Sequence, residues 1–162
     1  MLRELLERGN IYFNKRWPLI AFQPILYFFV FGATLRLAYL QSPPPAFDVI
    51  IYDNFYIVWL SLGILSPVLS FISWFLIEKR TGRKRFMGMW LRLAADIGVF
   101  TTLITYHVTT AFTRGAPISE AKIFSRYLLG ACILFTFILI IRDMWTVYLT
   151  ERLASKINKE SK

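Results

Sequence analysis

Four apolar stretches of about 20 residues each constrain this chain most, because that length is what an α-helix needs to cross the hydrocarbon core of a bilayer. They run over about 18–40, 54–77, 90–112 and 123–145, and long parts of them carry no charge. A chain of 162 residues that is 56% hydrophobic exceeds the roughly 45–50% apolar content of a soluble domain. Its 18% of charged residues are clustered between the stretches. The pattern is that of one polytopic membrane domain.

The links are short. "QSPPPAFDVIIYD" joins the first two spans, and Pro43, Pro44 and Pro45 make it stiff and extended. "EKRTGRKRFMG" joins the second and third, and "TRGAPISEAK", with Gly115 and Pro117 as breakers, the third and fourth. Short links place successive helices side by side and antiparallel, so the expected fold is an all-α, up-down four-helix transmembrane bundle.

Charge placement sets the expected orientation. Residues 1–17, 78–92 and 142–162 hold fifteen of the 19 lysines and arginines, leaving Arg36, Arg114, Lys122 and Arg126 for the other side. Basic residues mark the cytoplasmic side, so both termini are expected there. Trp17, Trp74, Trp90 and Trp145 fall at that end of the spans as interface anchors, with Trp59 near the other. The cluster Lys79, Arg80, Arg83, Lys84 and Arg85 reads as a cytoplasmic loop that fixes orientation and rests against anionic lipid headgroups. The formal charge of +9 therefore does not point to nucleic acid, since the basic residues flank apolar runs. "LRELLERG" in the segment 1–17 suits a short interfacial helix stopped by Gly9 and Asn10, and the segment does not read as a secretory signal. Residues 146–162 extend the fourth helix as a cytoplasmic tail, amphipathic and then charged.

The third span is unusual: "MWLRLAADIGVFTTLITYHVTTAF" carries Arg92, Asp96 and His107. At about 100° per residue these three fall within an arc of about 60°. Roughly opposite lie Gly98, Thr101, Thr102, Thr105 and Thr109. The second span has a matching row in Gly63, Ser66, Ser70 and Ser73, while Gly32 with Ala33 and Gly130 with Ala131 give the outer spans small residues. Small residues let helix backbones approach in lipid, and hydroxyls hydrogen-bond across such contacts. They serve bundle packing or contacts between copies in a homo-oligomer.

A charge at a helix centre costs on the order of 2.5–3.5 kcal/mol, and pairing offsets much of it. Arg92 and Asp96 are spaced i, i+4, and Arg142 reaches a similar depth from the fourth span. The expectation is an ionised Asp96 held between Arg92 and Arg142 as a structural clasp, the competing reading being an ion or proton path through Asp96 and His107. His107 is expected to hydrogen-bond inside the bundle, and Arg36 to meet Asp48 or Asp53. Pro24 and Pro67 should kink their spans, with Gln23 and Ser66 helping to satisfy the freed carbonyls.

No catalytic constellation, metal cluster or phosphate-binding loop is legible, so no enzyme activity and no cofactor are expected. One cysteine, Cys132, excludes a dithiol centre, and one histidine excludes a bis-histidine haem bundle. Small multidrug transporters also have four spans, but they use a carboxylate in the first, where this chain has Gln23 and Pro24.

In size, four closely linked spans, inward termini and a charged tail, the chain resembles the four-span holins of bacteriophages, with "RLAADIGVF" at the head of the third span as its nearest approach to a signature. The resemblance implies oligomers in the inner membrane that open lesions and release a cell-wall hydrolase. The small faces of spans two and three would mediate assembly, and the ionic stripe would be buried until the lesion opens. The alternative is a non-enzymatic accessory protein, acting in superinfection exclusion or as an assembly partner of a larger complex.

Overall fold

The structure is a computed structural model that describes residues 19–40, 53–79, 83–112 and 120–160. Among the described residues there are four helices and no strand: α1 (Leu19–Leu40), α2 (Asp53–Lys79), α3 (Arg83–Phe112) and α4 (Glu120–Glu160). Each contains a run long and apolar enough to cross a membrane: Phe22–Leu40, Phe55–Ile77, Lys84–Thr110 and Ile123–Arg152. The expected interfacial helix in 1–17, the proline link and the pairing of Arg36 with Asp48 lie outside the described residues, as does the Asp53 side chain.

One helix starts before its expected bound, and another continues into the tail as expected. α3 begins at Arg83 rather than near residue 90, because nothing between Gly82 and the apolar run breaks a helix. Of the basic cluster, Arg80 lies outside the described residues. Lys79 ends α2, Arg83, Lys84 and Arg85 form the first turn of α3, and only residues 80–82 lie between. α4 continues as one helix to Glu160, 41 residues in all, or about 62 Å at 1.5 Å per residue.

Contacts fix an antiparallel register. Across α2 and α3, Trp59 Nε1 donates to the Thr102 carbonyl at 3.0 Å, and Gly98 lies against Ser66 and Gly88 against Leu76 and Ile77. Partner numbers fall on one helix as they rise on the other. Thr34 of α1 meets Gly63 of α2, while Leu37 accepts from Tyr56 at 3.5 Å. Between α3 and α4 the pairs are Thr110 with Arg126, Phe100 with Phe137 and Met89 with Thr150.

Small residues make the closest approaches. A Cβ at Gly63 would collide with Thr34 Cγ2 and stand 3.2 Å from Thr102 Cγ2, and one at Gly98 would collide with Ser66 Oγ. Several hydroxyls turn back on their own helices. Thr102 Oγ1 donates to the Gly98 carbonyl at 2.9 Å, Thr109 Oγ1 to the Thr105 carbonyl at 3.0 Å and Ser73 Oγ to the Ser70 carbonyl at 2.6 Å. An i−4 or i−3 carbonyl is always within reach of a helical hydroxyl, so local bonding needs no partner helix. Fit between α2 and α3 thus comes from side-chain size.

The core has two parts. Leu26, Tyr27 and Val30 of α1 pack on Val99 and Leu103 of α3, flanked by Leu129, Cys132, Ile133 and Phe135 of α4. Toward the other end, Trp59 is sandwiched between Tyr56 and Tyr106, with centroids 6.1 and 6.3 Å away. The outside of the bundle is apolar: Phe28, Phe29, Phe71, Phe124 and Tyr127 are all about 70% exposed. Water-soluble monomers rarely show so much contiguous apolar surface, and four such helices suggest integration in a membrane.

Candidate functional site

Two arginines and two aspartates meet inside this apolar bundle. α3 supplies Arg92 and Asp96 one turn apart, and α4 supplies the neighbours Arg142 and Asp143. α1 adds Gln23 and Tyr27, also one turn apart on one face. Asp96 lies thirteen residues into α3, about 20 Å from its start.

Asp96 is wholly buried. Its Oδ1 accepts from Gln23 Nε2 at 2.9 Å and from the Tyr27 hydroxyl. Its Oδ2 lies 4.0 Å from Arg142 Nη2 and has no hydrogen bond. Arg142 Nε donates to Asp143 Oδ1 at 2.6 Å. Arg92 Nε stands 3.0 Å from Asp143 Oδ2, a charge contact whose angle falls short of a hydrogen bond. Gln23 ties the two halves together. Its Oε1 accepts from Arg92 Nη2 at 3.0 Å and Arg142 Nη2 at 3.4 Å, while its amide nitrogen serves Asp96.

Opposite charges balance across the four ionic side chains. Coulomb attraction grows as water is excluded, and the donors from Gln23 and Tyr27 replace hydration that Asp96 would otherwise lose. Of the stripe anticipated on α3, the structure brings Arg92 and Asp96 to Arg142. Arg92, however, takes Asp143 as its ionic partner and not Asp96. Gln23 and Tyr27 hold one Asp96 oxygen, and the Arg92 guanidinium is held instead by Gln23 Oε1 and Asp143. Gln23 is used here rather than on a carbonyl freed by Pro24.

His107 is not part of the cluster. It lies eleven residues beyond Asp96, about 16 Å along the axis, half-buried, and its Nδ1 is buried without a hydrogen-bond partner. Arg126 approaches the same end of α3, donating to the Thr110 carbonyl at 3.1 Å. Tyr27 and Asp143 were not singled out by the sequence. Tyr27 is flagged only by its i, i+4 spacing from Gln23, and Asp143 only by its place beside Arg142 inside an apolar run.

Beside the cluster, between α1 and α2, opens a cleft of about 580 Å³, walled by Pro24, Phe28 and Phe31 on one side and Pro67, Val68 and Phe71 on the other. Gln23, Ser73, Trp74 and Arg92 close its end nearest the basic ends of the helices. Among the described residues no group of three or more His, Cys, Asp and Glu side chains is placed to hold a metal.

No protein-family model, curated protein or solved structure matches this chain.

Proposed function

We propose that this chain is an integral membrane protein with both termini cytoplasmic, acting as a non-enzymatic accessory or assembly partner of another membrane component. The observation that carries this reading is the closure of the ionic cluster within one protomer. Its charges are balanced, three helices contribute, and Asp96 is fully buried. A group lining a conducting path would need water and a second polar group further along the span. Toward His107 the side chains between are the apolar Val99 and Leu103, both buried. The small faces of α2 and α3 are likewise occupied by each other, which leaves them unavailable for contacts between copies. The cluster is a clasp that holds α1 and α4 on α3, and the long α4 carries the tail available to a partner.

A holin-like oligomer is the second reading, and one observation favours it. Gly32 and Gly130 face open space, with nothing within 4 Å of an added Cβ, so small residues on α1 and α4 remain free to pack against another copy.

Induction in a bacterial host carrying a membrane-potential dye separates the two. A steady potential and normal growth, with one cellular membrane protein repeatedly co-purifying, supports the accessory role. Abrupt, timed depolarisation with release of a cytoplasmic hydrolase overturns it in favour of the holin.

A further inference from the structure

The cleft between α1 and α2 borders the clasp at Gln23, Tyr27 and Arg92, while Val68 and Ser70 line it from α2. At about 580 Å³ it falls within the roughly 300–1,000 Å³ typical of small-ligand sites. From Gln23 to Phe31 its α1 wall spans eight residues, about 12 Å. Its apolar lining includes Phe28, Phe31, Pro67 and Phe71, with Phe28 and Phe71 on the exposed flank. Arg92 is the one charged residue in the lining. Its hydrogen bond to Gln23 engages one of the five N–H donors of a guanidinium, with Asp143 a charge contact, and its side chain is 23% exposed. A site with an apolar floor, one open flank and a cation with donors in reserve at one end suits an amphiphile with an anionic head.

We infer that the cleft binds one acyl chain of an anionic phospholipid, with the lipid phosphate held by Arg92 and the chain lying along Phe28, Phe31 and Phe71. Arg92 lies toward the same end of the bundle as Lys84 and Arg85, so head and tail point as they would in the leaflet on that side. Planar guanidinium donors match phosphate oxygens. Pro24 and Pro67 both line the cleft, where their rings take the place of backbone N–H groups and leave apolar wall. The inference requires insertion in a membrane and is independent of the choice between accessory protein and holin.

The test uses the full chain reconstituted into vesicles, with co-flotation verifying insertion first. Phosphatidylglycerol and phosphatidylcholine, each nitroxide-labelled on an acyl chain, are compared by electron paramagnetic resonance for the motionally restricted fraction. The expected result is a roughly fivefold preference for phosphatidylglycerol, the effect of one basic residue on an anionic lipid. Ser70→Trp, which fills the cleft without touching the clasp, should bring the preference close to parity, and Val68→Trp should do the same from the adjoining position. Equal restriction of the two lipids in the wild-type protein would overturn the inference whatever the variants do. So would a preference that survives both tryptophans but disappears in Lys84→Gln/Arg85→Gln, which would place the lipid on the helix ends.

Discussion

At the scale of single residues, Asp96 and Tyr27 differ in what their loss leaves behind. Asp96→Asn removes the buried carboxylate 4.0 Å from Arg142, which keeps Asp143 at 2.6 Å while the cluster loses one of its two acids. Breaking a buried pair from one side costs about 3–5 kcal/mol, so unfolding in mixed detergent followed by circular dichroism should show a loss of that order. Asp96→Asn/Arg142→Gln removes both charges and should recover part of it, a coupling that a double-mutant cycle isolates. Simple addition of the two single losses would contradict the clasp. Tyr27→Phe removes only a donor to a charged oxygen and should cost about 1.5–3 kcal/mol in the same assay. Much of this cluster was legible beforehand, since charges within an apolar run announce themselves. The partner choice of Arg92 was not. The i, i+4 rule places Asp96 within its reach, but it says nothing of Asp143 on α4, which stands 3.0 Å from Arg92 Nε, or of Gln23 on α1, which accepts from its Nη2.

At the scale of helices, α3 organises the bundle because it is packed on several sides at once. Ala95, Asp96 and Val99 are fully buried, whereas α1, α2 and α4 each keep a broad exposed apolar flank. Glycine position separates packing within the protomer from other roles. Gly63→Val must push its methyls into Thr34 and Thr102, and β-branched neighbours have little rotamer freedom to yield. Overpacking of this kind costs about 1–3 kcal/mol, measurable in the same detergent unfolding. Gly130→Val meets open space and should change protomer stability by less than about 0.5 kcal/mol. If Gly130→Val nonetheless disrupts a cross-linked oligomer in membranes, the holin reading gains. Helix number and order could be read from apolar length alone. The start of α3 could not, because apolar length marks where a bilayer could sit and not where backbone hydrogen bonding stops. The Thr102 and Ser73 hydroxyls bond within their own helices because the nearest carbonyl to a helical hydroxyl is its own.

At the scale of the whole molecule, the predicted topology is open to direct labelling. With Cys132 replaced by serine, single cysteines at positions within 1–17 and 146–162 should react with an impermeant maleimide from one face of the membrane, and positions within 41–52 and 113–119 from the other. Reaction of both termini from the outer face of intact cells would invert the proposed orientation. The clasp also has a temporal meaning. Its members lie at residues 23, 27, 92, 96, 142 and 143, so the ribosome delivers the first of them long before the last. Until α4 emerges, Arg92 and Asp96 have only each other, i, i+4 on one helix, and lack the Asp143 and Arg142 that flank them in the complete fold. A chain halted after about residue 120 would keep that incomplete pairing among lipids. The final helix therefore certifies that synthesis was completed, and a stop codon ahead of Arg142 should yield a product cleared much faster than one placed just after Asp143.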